Sequence, residues 1–137
     1  MCLRQSFLQL DSVIAMEDMI VRFVLLIVMV GAGVLLIWSA RAAASGGLKR
    51  NQIAGIRTSR TLSSDAAWQT AHVRAERPTV IAGVVSVATG LVALLPVQVE
   101  AAGIAVLTGC GVMLALVLYG ARVGHRAAGD LPPHSDD

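Results

Sequence analysis

Charged side chains are scarce in this sequence of 137 residues. Asp, Glu, Lys and Arg make up 15% of it, whereas a soluble domain usually contains about 25%. Three stretches, residues 23–40, 78–99 and 101–121, contain none of them. Each is close to the roughly 20 apolar residues that a helix needs to cross a bilayer. We therefore predict an all-α, polytopic membrane protein with three transmembrane helices.

Histidine is also missing from these predicted spans. Ionisable side chains inside a membrane mark proton relays and ion paths. Their absence from the spans argues against a pump, a proton-coupled transporter or an intramembrane protease.

The usual patterns of catalytic and metal sites are missing as well. The sequence contains no nucleophile motif, no Gly-rich phosphate loop and no paired carboxylates, and no second His or Cys stands at metal-ligand spacing from His72. Its two cysteines, Cys2 and Cys110, are expected at different depths, so a disulfide is not predicted. We predict a protein that is not an enzyme and that binds no cofactor and no metal.

Basic residues are concentrated between the first two apolar stretches. This insert, residues 41–77, contains Asp65 and Glu76 against a larger basic set, which consists of Arg41, Lys49, Arg50, Arg57, Arg60, Arg74 and Arg77. Because Lys and Arg accumulate in cytoplasmic loops, the insert is predicted to be cytoplasmic. The N-terminus and the turn at Glu100 are then outside, and the C-terminus is cytoplasmic. Arg22, at the outer edge, disagrees with this orientation.

The remaining parts of the chain are predicted to have simpler roles. Residues 1–18 form an N-terminal segment, and Met16 and Met19 each offer an alternative start. Residues 19–126 form the membrane domain, and residues 127–137 form a disordered tail. The preference for Arg over Lys and the abundance of Ala, Val and Gly indicate a bacterial protein, so we expect the bacterial inner membrane.

A short amphipathic helix is predicted inside the insert, at about residues 64–76. Ser64 can cap it and Asp65 favours its dipole. Trp68 and His72, four residues apart, share one face. Pro78 then either opens the second span or lies inside a continuous helix.

The insert is also the predicted binding surface. One interpretation is a basic loop on anionic lipid headgroups, with Trp68 as an interfacial anchor. Another is a defined surface for a phosphate headgroup or a protein partner, whereas nucleic-acid binding is not expected. The candidate residues are Asn51, Gly55, Arg57, Thr58, Arg60, Thr61, Trp68 and His72.

Small residues repeat at four-residue intervals on the last two spans. A short connection at residues 95–100 forces these spans into an antiparallel hairpin. Small side chains let membrane helices approach closely, so we predict helix packing through Ala82, Ser86 and Gly90 on one helix and Ala101, Ala105 and Gly109 on the other. Alternatively, one ridge docks a partner subunit. The first span is expected to face lipid or another protein.

The insert resembles the signature of the SdpI family of membrane proteins. In that family a loop of the form N-x-x-x-G-[IL]-R-T-x-x-T-L-x-x-x-x-x-W-x-x-x-H lies between two spans. The matching positions are Asn51, Gly55, Arg57, Thr58, Thr61, Leu62, Trp68 and His72. The chain departs from the pattern at Ser59 and Arg60, and it is similar to a short, three-span form. The namesake of the family confers immunity to a secreted killing toxin and captures a transcriptional repressor at the membrane.

Two functional hypotheses follow. The first is an accessory or regulatory subunit of a larger membrane assembly, such as a transporter. The alternative, which the resemblance implies, is a toxin-immunity or membrane signalling protein that binds a toxin or a transcriptional repressor.

Overall fold

The computed structural model describes residues 2–47, 56, 58, 59 and 61–130. This part of the chain contains three helices and no strand: α1 (Cys2–Ala44), α2 (Asp65–Val92) and α3 (Val99–Gly129). All three are long and apolar enough to cross a membrane. The prediction of an all-α protein with three membrane spans is confirmed.

Helix α1 is longer than a membrane span. It has 43 residues, which corresponds to about 64 Å at 1.5 Å per residue, about twice the thickness of the hydrocarbon core. Residues 2–18 contain no Pro or Gly to interrupt it. The helix therefore continues without a break through the boundary that we expected near residue 19.

Helix α2 begins where the sequence predicts and then passes through Pro78. Ser64 is the N-cap, and its hydroxyl accepts a hydrogen bond of 3.0 Å from the backbone N–H of Ala67. Pro78 lies inside the helix, which is the continuous alternative. Residues 65–76 are thus the first part of α2, and the short amphipathic helix is not confirmed as an element of its own.

Helix α2 lies in the middle and packs against both other helices, while α1 and α3 scarcely touch. The contacts run in opposite directions along each pair, so α2 is antiparallel to both neighbours. Near one end, for example, Ser86 of α2 forms a hydrogen bond with Met29 of α1. At the other end, Gln69 reaches Ala44.

The contact between α1 and α2 depends on two glycines. A Cβ atom at Gly33 would lie 2.6 Å from the carbonyl oxygen of Gly83, and a Cβ at Gly83 would lie 2.7 Å from the carbonyl oxygen of Gly33. Nearby, the buried hydroxyl of Ser86 donates a 2.7 Å hydrogen bond to the carbonyl oxygen of Met29. The two backbones can approach this closely only because both positions lack a side chain.

The contact between α2 and α3 uses a different face of α2. Gly109 of α3 lies against the side chain of Thr89, and Gly124 lies against the backbone of Ala71. Ala102, on the same helix as Gly109, is also fully buried.

These contacts correct the predicted pairing of the two small-residue ridges. Ser86 and Gly90 pack against α1 rather than α3, while Ala82 is fully buried. On α3, Gly109 is buried against α2, but Ala105 is only half-buried and Ala101 is exposed. A four-residue spacing drifts around a helix of 3.6 residues per turn, so each ridge alone does not define one contact face.

The turn between α2 and α3 is held by Arg22, the residue that disagreed with the predicted orientation. Its Nη1 donates to the carbonyl oxygens of Ala93 (3.2 Å) and Leu95 (2.9 Å), and its Nη2 donates to that of Val97. The positive charge therefore satisfies carbonyl groups at the C-cap of α2 and in the turn that follows it. At the other end of α3, the helix extends to Gly129, so residues 127–129 are helical, and residues 131–137 lie outside the described residues.

Candidate functional site

The connection between α1 and α2 is attached to the helices at its start. Helix α1 ends at Ala44, and Gly46 adopts a positive φ of 78°, which a residue without a Cβ accepts readily. The side-chain amide of Gln69 on α2 donates to the carbonyl oxygen of Ala44. This bond ties the beginning of the connection to the first turns of α2.

His72 holds the connection further along. The backbone N–H of Ile56 donates to Nε2 of His72 at 3.1 Å, and Nδ1 of His72 lies 2.7 Å from the carbonyl oxygen of Trp68. Because Nε2 accepts, Nδ1 must carry the ring proton and donate to that carbonyl. The buried ring is thereby fully hydrogen-bonded as a neutral imidazole.

Thr61 organises the next turn of the connection. Its side chain is 0% exposed, and its hydroxyl donates to the carbonyl oxygen of Ile56 at 2.7 Å. The hydroxyl oxygen of Thr61 also accepts from the backbone N–H of Thr58 at 2.9 Å, and the hydroxyl of Thr58 accepts from the backbone N–H of Thr61 at 3.2 Å. A bond of 3.0 Å from Leu62 N–H to the Thr58 carbonyl closes the turn.

Helix α3 contributes to the same structure. Nδ1 of His125 lies 2.9 Å from the hydroxyl oxygen of Thr58. A Cβ atom at Gly124 would lie 2.8 Å from Cδ1 of Ile56, so the absent side chain leaves room for this isoleucine. Ile56, Thr58, Ser59 and residues 61–64, called the anchored segment below, are therefore held by α2 on one side and by α3 on the other.

A groove of about 330 Å³ lies beside the anchored segment, between the three helices. Its walls include Leu36 and Ala40 of α1, His72 and Glu76 of α2, and Ala121 of α3. Leu36, Ala40 and Ala121 belong to predicted spans, whereas His72 and Glu76 belong to the predicted insert. Sequence reasoning missed this groove because it assigned the helix at residues 64–76 to the cytoplasmic insert and did not pack it against the spans. In the structure these residues are the first part of α2 and line the groove together with α1 and α3.

No group of three His, Cys, Asp or Glu side chains suited to a metal ion occurs within the described ranges. His72 and His125 instead form hydrogen bonds with backbone and hydroxyl groups.

A family model matches residues 47–120 of the chain, and its description is the SdpI/YfhL protein family. This range is more than half of the sequence. The chain belongs to the SdpI/YfhL protein family. It matches no curated protein and no solved structure.

Membership of the SdpI/YfhL family suggests a small membrane protein of the immunity type, in a family that is not known as enzymatic. The matched range includes the anchored segment, all of α2 and most of α3, with the His72 bonds. All of α1 lies outside it, as do Gly124 and His125.

The structure gives several motif residues of this SdpI/YfhL protein a supporting role. Trp68 is 2% exposed and its ring packs against His72, with centroids 4.2 Å apart. The predicted interfacial anchor is therefore wrong, since the Trp68 side chain is packed inside the protein. Like Thr61, Trp68 and His72 are too buried to touch a lipid or partner directly, and they position the segment that is exposed at Ser59.

The other predicted binding residues are Asn51, Gly55, Arg57 and Arg60, which lie outside the described residues. Binding of anionic headgroups at the basic loop depends on these arginines and stays a prediction. Thr58 is half-buried and faces His125.

Proposed function

We propose that this protein is a non-enzymatic immunity protein of the bacterial inner membrane, which acts by binding a toxin or a regulatory protein. The observation that carries the proposal is the anchored segment. Hydrogen bonds that involve His72 and His125, on two different helices, hold a short polar stretch in one conformation.

A fixed conformation favours a binding role. A segment that is ordered before it meets a partner loses less conformational entropy on binding than a flexible one. Ser59 is exposed at this segment, and Arg57 and Arg60 alternate in sequence with the held residues. Arginine is well suited to carboxylate and phosphate groups because its donors are arranged in a planar fork.

The test is a deletion strain that is challenged with spent medium from its parent. Sensitivity that the wild-type gene reverses supports immunity, and altered transcript levels without sensitivity support the signalling alternative. A deletion strain with unchanged survival and unchanged transcripts would sink both.

Complementation with two matched variants then tests the anchored segment. Thr61→Val keeps the shape of the side chain but removes the hydroxyl that donates to Ile56, so we expect loss of protection. Thr108→Val removes a hydroxyl that is exposed and bonds only within α3, so protection should remain. Ser59→Trp alters the exposed surface without touching the anchoring bonds. Immunoblots of membranes must show equal amounts of all variants. Full protection by both Thr61→Val and Ser59→Trp would exclude the anchored segment as the binding surface.

A second candidate function is an accessory or regulatory subunit of a larger assembly, such as a transporter. It is favoured by α1, since only 11% of its apolar window is buried within the protein, against 33% for α2. Affinity purification in mild detergent, followed by mass spectrometry and a native gel, tests this role. A partner at fixed stoichiometry supports it, whereas a free monomer counts against it.

A further inference from the structure

The groove between the three helices has a lining that selects for one kind of ligand. Its volume of about 330 Å³ lies in the range of roughly 300–1,000 Å³ that is typical of small-molecule sites. Leu36, Val117 and several alanines give it mostly apolar walls. A ligand must therefore have an apolar body, and the few polar groups in the lining determine which polar head group it can carry.

The hydroxyl groups of Ser39 and Thr79 in the lining can only accept further hydrogen bonds. Ser39 already donates to the carbonyl oxygen of Leu36 at 3.1 Å, and Thr79 donates to that of Ala75 at 2.8 Å. A hydroxyl has one proton and two lone pairs, so each of these oxygens has only lone pairs left to offer.

His72 offers no donor to the groove. Its Nδ1 proton is directed at the carbonyl oxygen of Trp68, and its Nε2 accepts from Ile56. Both ring nitrogens are engaged within the protein, so the imidazole contributes only its carbon edge and face to a ligand.

Glu76 is the acidic side chain among the described residues of the lining. It is half-buried, and the described part of the chain provides no hydrogen bond or ion pair to its carboxyl group. Arg74 and Arg77, its neighbours on α2, are exposed and do not line the groove. Among the described residues, the polar groups around this space therefore offer acceptors and no free donor.

We propose that the groove binds an amphiphile that carries a primary ammonium group on a short apolar chain. The chain lies along Leu36 and Val117, and the ammonium protons are donated to Glu76, with Ser39 and Thr79 as additional acceptors. A hydrogen bond between two charged groups is roughly twice as strong as one between neutral groups. This assignment does not depend on the proposed immunity function.

The experiment uses the full chain in phosphatidylcholine nanodiscs and octylammonium as the probe. Trp68 packs on His72 beside the groove, so its fluorescence reports occupancy. Trp38→Phe removes the other tryptophan, which is exposed on α1. We expect a saturable response to octylammonium and a much weaker one to octanol and octanoate, which have the same chain length.

Two matched variants locate the site. Glu76→Gln should weaken octylammonium binding by about tenfold or more, which is the usual effect of losing a charged hydrogen-bond partner. Glu17→Gln, at an exposed position on α1, should leave binding unchanged. Ala40→Leu, which fills the groove and leaves the carboxylate in place, should also abolish the response. Equal binding by wild type and Glu76→Gln, or equal responses to octanol and octylammonium, would overturn the proposal.

A final arm identifies the source of the ammonium group. Nanodiscs that contain phosphatidylethanolamine present this group on a lipid. If these nanodiscs reduce the octylammonium response of the wild type but leave the residual response of Glu76→Gln unchanged, the lipid occupies the groove. An unchanged response assigns the groove to a soluble amine, and either result retains the ammonium site.

Discussion

His72 connects one turn of α2 to the polypeptide that precedes it. Its ring accepts from Ile56, donates to Trp68 and packs against the Trp68 indole. A single neutral side chain thus fixes a backbone group that is 16 residues away in sequence. Loss of this ring leaves the backbone N–H of Ile56 without its acceptor, which is costly when the group is shielded from water.

We expect His72→Phe to lower the free energy of unfolding by about 1–3 kcal/mol, the usual cost of an unsatisfied polar group. Phenylalanine keeps an aromatic ring beside Trp68 but has no acceptor for Ile56. Glutamine has an amide oxygen that can accept from Ile56, so His72→Gln should be less destabilised. Thermal unfolding in detergent, followed by tryptophan fluorescence, measures the difference. If His72→Phe were as stable as the wild type, the hydrogen bonds would have no net effect.

Arg22 performs a comparable task at the opposite end of the bundle. Its guanidinium group donates to three carbonyl oxygens around the turn after α2. We expect Arg22→Met to speed amide hydrogen exchange at Leu94 and Leu95 by about fivefold, which corresponds to about 1 kcal/mol. Arg41→Met, on the same helix, is the control, because Arg41 is exposed and donates no bond to this turn. Equal exchange in the two variants would contradict the capping role.

At the scale of the elements, the contact of α1 with α2 is set by backbone proximity. Gly33 and Gly83 face each other, and either added Cβ would lie within 2.7 Å of a carbonyl oxygen. Lipid provides no hydrophobic drive for helices to associate, so close packing and interhelical hydrogen bonds must stabilise the pair. Ser86 provides such a bond to Met29.

Gly33→Ala should therefore destabilise the protein by about 1–3 kcal/mol, the usual cost of overpacking. Gly31→Ala is the matched control, since its Cβ would meet nothing within 4 Å. That substitution should be neutral or slightly stabilising, because alanine favours a helix. Unfolding of both variants in the same detergent tests the prediction. It would be refuted if Gly31→Ala and Gly33→Ala lost equal stability.

Helix α2 illustrates which features of an element are local. The Ser64 cap and the acidic Asp65 are adjacent to the residues that they influence, so the start of the helix was predictable. Whether Pro78 begins a helix or lies inside one depends on the packing around it. Gly120 of α3 lies against Pro78, and this contact is invisible in the sequence of α2.

For the whole molecule, the basic insert predicts a cytoplasmic connection between α1 and α2 and an external turn between α2 and α3. Arg22 disagrees with this orientation, and its hydrogen bonds to carbonyl oxygens of the external turn explain its position. The orientation itself stays a prediction, and labelling of single cysteines in intact cells tests it.

Gln98→Cys and Ser59→Cys are suitable positions in a background with Cys2→Ala and Cys110→Ala. Both native side chains are exposed, and that of Gln98 makes no capping hydrogen bond. An impermeant maleimide should label Gln98→Cys in intact cells and Ser59→Cys only after permeabilisation. The reverse pattern would invert the topology.

Sequence alone determined that this is a membrane protein with three helical spans and a basic insert. Hydropathy and capping are properties of neighbouring residues, so they can be read without knowing the fold. The same locality explains the correct position of Ser64 as the helix cap and the recognition of the family motif around Trp68 and His72.

Only the tertiary structure decided which faces meet and which motif residues are buried. Ser86 lies 57 residues from Met29, and Thr58 lies 67 residues from His125. No local pattern encodes such pairs, because each depends on how three helices pack together. The same packing buried Trp68, placed Glu76 of the predicted insert helix in the wall of a groove, and gave Arg22 its carbonyl partners.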